Sequence, residues 1–535
     1  MRAVDWHFPY PSQRMPVVAR NVVATSQPLA TQAGMRALAA GGNAIDAALA
    51  AAITLTVVEP NNNGVGSDAF AQVWDGQSLH GLNASGRAPA GWTPARFSGR
   101  SRMPQQGWDA VTIPGAVGAW LALSERFGRL PFADLFNAAV HYAEQGFHVG
   151  PKTAYYWPFA VRQFRQRADF MAHFAPDGRA PLPGELFRRP ELAATLRDIA
   201  ATRTASFYSG ALAERMVMHS QAEGGALSMD DLAQHEHLWV QPIGANIGDV
   251  RLHEIPPNGQ GLAALIALRI LDVLGAFGMD PDAVPTVHLQ IEAMKLGILL
   301  GFRYFADADA MQAPAEHFLH PDWIAELARR IDRRQANHTT LPTLPMSHDT
   351  VYLTTADAEG RMVSYIQSNY RGFGSGVVIP GTGIAMQNRG AGFVLDPTHP
   401  NCVGPRKRPY HTIIPGFVTR VSTSGATEPV MSFGVMGGHM QPQGHVQMVL
   451  RVCGYGQNPQ AAVDAPRWHV YEDLSVGLER GQSEHLFEGL TALGHSVRWE
   501  EQEHVFGGAQ MALRLPDGGY CAASDPRKEG QAAGW

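Results

Sequence analysis

Asp349-Thr350 is the pair of residues in this 535-residue sequence with the clearest chemical use. A Pro-containing, turn-forming segment, Leu341-Pro342-Thr343-Leu344-Pro345, runs into it, and the β-branched and aromatic run Val351-Tyr352-Leu353-Thr354-Thr355 follows. A hydroxyl residue that opens a strand behind an acidic junction suits internal cleavage that frees an N-terminal threonine. The freed α-amine can then serve as base for the threonine's own hydroxyl. Taken alone this is a weak signal, since most Asp-Thr pairs are ordinary loop or strand-edge residues.

Other groupings invite chemistry without completing a pattern. His235-Glu236-His237 and the pair His439/His445 have no zinc spacing and no nearby residues to finish a ligand set, so they read as hydrogen-bonded surface or core histidines. Ser67-Asp68 has no histidine placed with it in the sequence and makes no serine triad. Gly64-Val65-Gly66 resembles part of a nucleotide loop, but no GxGxxG is completed and no helix follows. No metal site and no cofactor are read from these residues.

The elements that must position Asp349-Thr350 divide at that point. Before it the pattern is mainly helical. A helix is expected from Leu29 to the Gly41-Gly42 stop, and a small-residue helix over Asn43–Ala52 that packs inside the protein. A strand over Ala69–Trp74 turns at Asp75-Gly76. Amphipathic helices follow Val111-Thr112-Ile113-Pro114-Gly115, one across Phe132–Gln145, and residues 185–300 read as mainly helical. The basic stretch Arg329 to Arg334 reads as a solvated helix end. From Thr350 onward short strands dominate, with a helix near Gln441–Val452.

Composition bounds the setting. A net charge of -6 on so long a chain gives no case for nucleic acid or an anionic membrane as partner. The three cysteines, Cys402, Cys453 and Cys521, lack CxxC spacing, which argues against a disulfide framework and fits a reducing compartment. Met1 to Arg20 shows no uninterrupted apolar signal segment, and the longest apolar run, Ala44 to Val58, is too short to span a bilayer. A cytoplasmic protein is the expectation.

Several stretches, in order over nearly the whole chain, resemble the γ-glutamyltransferase family of N-terminal-nucleophile hydrolases. They include Ala24–Gly34, Gly41–Ala48, Val58-Glu59-Pro60, Ile113-Pro114-Gly115, Pro256–Gly261 and Glu292–Leu296. Beyond residue 350 they include Phe373-Gly374-Ser375-Gly376, Pro380-Gly381-Thr382-Gly383, Lys407-Arg408-Pro409, Gly437-Gly438 and Ser524-Asp525-Pro526-Arg527. The resemblance implies an α/β (α+β) fold, a four-layer αββα sandwich made as a precursor. Cleavage at Asp349-Thr350 would leave a large fragment, 1–349, and a small one, 350–535, forming a heterodimer that can pair again. It also implies Thr350 as nucleophile, Ser368 as a second hydroxyl beside it, and the N–H groups of Gly437 and Gly438 as an oxyanion hole.

The departures from the family pattern are informative. The arginine that grips a glutamyl carboxylate in the family falls on Ser85, with Arg87 two positions later. The acids that hold the α-ammonium are absent from Gln387-Asn388-Arg389-Gly390-Ala391-Gly392-Phe393, which has gained Arg389. The serine pair after Lys-Arg-Pro is replaced around His411-Thr412, and an asparagine position falls on Tyr370, next to Asn369. A buried α-amino group without its carboxylate partner would forfeit a charge-assisted hydrogen bond of roughly 1.5–3 kcal/mol. The pattern therefore resembles the oxamate amidohydrolase branch, which hydrolyses a small carboxylated amide to oxalate and ammonia. Arg389, Arg87 and His411 are the candidates for the carboxylate. A γ-glutamyltransferase or glutathione hydrolase, an acylase of a bulkier amide, and an uncleaved inactive member remain as alternatives.

Overall fold

Alternation along the strand that opens at Asp349 sets the layering. In Asp349–Ala356, Val351 and Leu353 pack on one side with Ala69, Ala71, Val73, Val363 and Tyr365 against helices. Tyr352 points the other way and packs with Phe70, Ile255, Ile366, Ile413 and Met436. Successive side chains on a strand face opposite sides, so this strand is covered on both.

The computed structural model describes residues 13–338 and 349–535. The turn-forming segment 341–345 and the residues read for a leader, apart from the last few before Arg20, lie outside the described residues. One antiparallel sheet runs in the order Gln531–Gly534, Val22–Thr25, Asp349–Ala356, Met362–Tyr370, Asp68–Trp74, Leu79–Ala84, Leu238–Val240. The second, also antiparallel, runs Val17–Ala19, Tyr520–Ser524, Gly508–Arg514, Thr427–Met436, Gly416–Val421, Val250–Glu254, Ile243–Ile247.

The sheets meet face to face. Thr354 Oγ1 lies 2.5 Å from Ser432 Oγ, and Ser364 Oγ donates to the Phe433 carbonyl at 3.2 Å. Gly434 leaves room for the Tyr352 ring, since a Cβ there would fall 2.4 Å from it. Helices Pro28–Ala39, Ala44–Val58 and Ala116–Phe127 cover the first sheet, and Gly261–Val273, Val284–Tyr304 and Met440–Val449 cover the second. The result is the expected four-layer αββα sandwich.

Local chemistry explains most boundaries. Gln27 caps the first helix, and Asn43 and Asp46 form a capping box on the second. That second helix is buried throughout and runs to Val58, six residues past the expected end. Phe132–Phe136 is a 3₁₀ turn before helix Asn137–Gln145, and the helix from Met440 gives way to a π-helical turn at Leu450–Gly454. Residues 185–300 are mainly helical, as read, but the reading missed the strands ahead of Pro256. Leu238–Val240, Ile243–Ile247 and Val250–Glu254 are strands that end one sheet and begin the other. They are only three to five residues long, too short to stand out among helices, although Val250–Glu254 does alternate, burying Val250, Leu252 and Glu254. Arg329 and Arg330, at the basic helix end, both pair with Glu326. Among the described residues no helix is long and apolar enough to cross a membrane.

Candidate active site

Thr350 sits at an irregularity in the pairing of its strand. Asp349 pairs with Tyr370 but Val351 pairs with Gln367, so Thr350 alone stands opposite both Ser368 and Asn369. Such a bulge re-aims a side chain. Thr350 is buried, and its Oγ1 donates to Ser368 Oγ at 3.1 Å. Ser368 Oγ also accepts the Tyr370 N–H at 2.8 Å. In the intact chain the Thr350 nitrogen is a peptide nitrogen, so its use as a base requires cleavage.

The bulged strand then turns. Tyr370 has φ of 80°, in the left-handed region, and its ring lies beneath the Arg389 guanidinium with 4.9 Å from Cζ to centroid. Neighbouring Asn369 accepts from Ser67 Oγ at 2.8 Å, while its buried Nδ2 has no hydrogen-bond partner among the described residues.

Arg389 opens a 3₁₀ turn, Arg389–Gly392, and is 1% exposed. Its Nη1 donates to Thr412 Oγ1 at 2.7 Å. Its Nε and Nη2 are buried and have no hydrogen-bond partner, and no carboxylate forms an ion pair with it among the described residues. Burial pulls its pKa down to about 10, with Asp68 pulling the other way, so it stays cationic at neutral pH. A buried cation with unmatched donors is costly unless an anion completes it.

His411 is not a cation here. Its Nε2 lies 3.1 Å from Asp68 Oδ2, and its Nδ1 accepts the Ile413 N–H at 3.4 Å, which assigns a neutral ring donating to Asp68. Burial, reinforced by Arg389, pushes its pKa down to about 4 against the pull of Asp68. Asp68 Oδ1 also accepts the Gly115 N–H at 3.1 Å. The expectation that no histidine is placed near Ser67-Asp68 is therefore overturned. Ser67 itself bonds Asn369, so the arrangement is an Asp-His pair and not a serine triad.

Gly437 and Gly438 join strand Thr427–Met436 to helix Met440–Val449, with φ of 121° and 58°. Their carbonyls accept the N–H groups of Met440 and Gln441, while neither glycine N–H donates a hydrogen bond among the described residues. Two unspent N–H groups ahead of a helix suit an oxyanion. Gln260 ties this turn to the guanidinium side: its Nε2 donates to Gly438 O at 2.9 Å and to Thr412 O at 2.6 Å. One run of contacts thus links Gly438, Gln260, Thr412, Arg389, Tyr370, Ser368 and Thr350.

Arg87 does not join this group. Its guanidinium donates to the Arg406 carbonyl at 2.8 Å, lies 3.9 Å from Asp307, and is 38% exposed. Ser85, at the position of the family's arginine, is buried and bonded to Asn83 at 2.7 Å, with its carbonyl taken by Arg408. Sequence reasoning missed Gln260 as a latch and Asp68 as the partner of His411. Only the glycine-flanked run Pro256–Gly261 pointed toward the first.

Of the histidines considered as metal ligands, His445 is buried and His235, His237 and His439 are half-buried. His235 stacks on Tyr208 at 5.2 Å and His445 Nδ1 lies 2.6 Å from Glu254. His288, Glu292 and His495 converge as metal ligands would, but the Lys295 ammonium sits 2.7 Å from Glu292 and 3.3 Å from His495 and supplies the positive charge.

Comparison with known proteins bears on the family and the fold. The family model described as Gamma-glutamyltranspeptidase matches residues 30–535. A cephalosporin acylase from Bacillus halodurans, known from its crystal structure, is 45% identical with a TM-score of 0.94, covering 100% of this chain and 99% of that one. The oxamate amidohydrolase proenzyme of Klebsiella pneumoniae is 35% identical over 521 residues, 95% of this chain and 97% of its own. The glutathione hydrolase-like YwrD proenzyme of Bacillus subtilis is 33% identical over 528 residues, 96% of this chain and 98% of its own.

Proposed function

Because this chain belongs to the gamma-glutamyltranspeptidase family, we propose that it is an autoprocessing N-terminal-threonine amidohydrolase whose acyl donor ends in a carboxylate, with oxamate the smallest such substrate. The family assignment makes it an amide-bond hydrolase or acyltransferase; the donor and the residue roles are our reading. The observation that carries the donor is Arg389, a buried guanidinium with Nε and Nη2 left unmatched. Of the three residues considered for a carboxylate, Arg87 is turned to the surface and His411 is neutral, which leaves Arg389.

In this reading Thr350 Oγ first attacks the Asp349 carbonyl. The acyl group shifts from nitrogen to oxygen, and water hydrolyses the resulting ester to leave fragments 1–349 and 350–535. In the mature enzyme Thr350 Oγ attacks the substrate carbonyl while the freed amine takes its proton and passes it to the leaving nitrogen. Ser368 orients the hydroxyl, and the N–H groups of Gly437 and Gly438 hold the oxyanion. Water then releases the acid from the threonine ester.

A γ-glutamyl donor would place an α-ammonium in the same site. The acid that faces Arg389, Asp68, already serves His411 and Gly115. Ammonia release from oxamate by processed protein is the test. Arg389→Ala should still process and should raise KM at least tenfold, the loss of a charged hydrogen bond of roughly 1.5–3 kcal/mol. Turnover of a γ-glutamyl anilide that outruns oxamate would overturn the choice of donor.

A further inference from the structure

A cleft of about 1030 Å³ opens next to the segment that follows Tyr370, and none of the site residues assigned above lines it. Its inner wall is Arg371-Gly372-Phe373, starting one residue beyond Tyr370, together with Asn61 and Asn62. Asn62 is joined directly to the bulge, because its carbonyl accepts the Asn369 N–H at 3.1 Å. The outer wall is helix Pro151–Gln163, which presents Tyr155 and Phe159 one turn apart, their ring centroids 5.9 Å from each other.

Those two rings are 63% and 51% exposed, whereas large apolar side chains in this fold are mostly buried. Exposed aromatics that line a concavity mark a contact surface. The charges are mixed: Lys152, Arg371 and Lys528 line the cleft together with Glu501 and Glu503, and Lys152 is already paired with Glu503. The acyl side, by contrast, is walled by the fully buried Arg389, His411 and Thr412. The room that the structure offers therefore lies outside the walls around Arg389.

We infer that the cleft receives the leaving half of the amide and selects amines carrying a flat apolar group, aryl or heteroaryl. This rests on the amidohydrolase reading above and extends it. The amide C–N bond breaks as the ester bond to Thr350 Oγ forms, the proton from that hydroxyl goes to the nitrogen, and the amine leaves along Tyr155 and Phe159.

The test compares N-benzyl oxamate with N-methyl oxamate, which share an acyl group and an alkylamine leaving group. Processed wild-type protein should favour the benzyl compound at least fivefold in kcat/KM, mainly through KM. The double variant Tyr155→Ala/Phe159→Ala, altered at exposed positions, should bring that ratio within twofold of one. Equal turnover of both compounds by wild type, or an unchanged ratio in the double variant, overturns the inference while leaving the amidohydrolase reading intact. Failure to hydrolyse either compound or oxamate itself counts against the donor reading instead, whereas turnover of oxamate alone overturns the inference. Benzylamine alone, followed by saturation-transfer NMR on processed protein, then decides the cleft. Saturation transfer to the benzyl ring with wild type that disappears with the double variant supports it, and no transfer with wild type overturns it.

Discussion

Arg389 and His411 lie close together and take opposite protonation states. Both are fully buried, and burial lowers the pKa of each. The guanidinium starts so high that it stays charged, whereas the imidazole falls from 6.5 to about 4 and stays neutral. Between those two pH values the folded protein binds fewer protons at His411 than the unfolded chain. The stability linked to the neutral ring is thus complete above about pH 6.5 and is lost as pH falls toward 4. Replacing His411 with Gln should flatten the fall of Tm over that interval relative to wild type; identical slopes would contradict the assignment. At this scale the junction alone was a weak signal. The family resemblance singled out Thr350 and, eighteen positions on, Ser368, which the structure puts beside it on the paired strand. The Asp68–His411 contact joins residues 343 positions apart, and no local pattern signals it.

Elements aim these groups. The bulge at Thr350 and the left-handed turn at Tyr370 are both departures from regular pairing, and they bring hydroxyl, ring and guanidinium together. Gln260, just ahead of helix Gly261–Val273, holds the glycine turn against the segment that carries Thr412. Gln260→Ala should therefore lower kcat on oxamate by about tenfold or more, within the cost of losing an oxyanion donor, with KM changed little. A change confined to KM would show that the latch serves binding alone. Helices with clear caps, such as Ala44–Val58, were legible in the sequence, although that helix outran its expected end. The short strands between Leu238 and Glu254 were not legible. Their place is fixed by pairing with Leu79–Ala84 on one side and Gly416–Val421 on the other.

In the whole molecule, each sheet draws strands from both sides of residue 350. Asp349–Ala356 lies between Val22–Thr25 and Met362–Tyr370, and Thr427–Met436 shares its sheet with Val250–Glu254. Cleavage at Asp349-Thr350 would cut the chain without parting a layer, so the two fragments should stay together until denatured. The shift from helix-rich to strand-rich composition located the junction in the sequence. It gave no sign of this interleaving, because sheet order is set by long-range pairing rather than local pattern. The most direct test of the account is intact mass spectrometry of the purified protein under denaturing conditions. Wild type should resolve into two polypeptides, the smaller beginning at Thr350, and Thr350→Ala should remain one chain. A wild-type protein that stays full-length after prolonged incubation, or a small fragment beginning at any other residue, would contradict it.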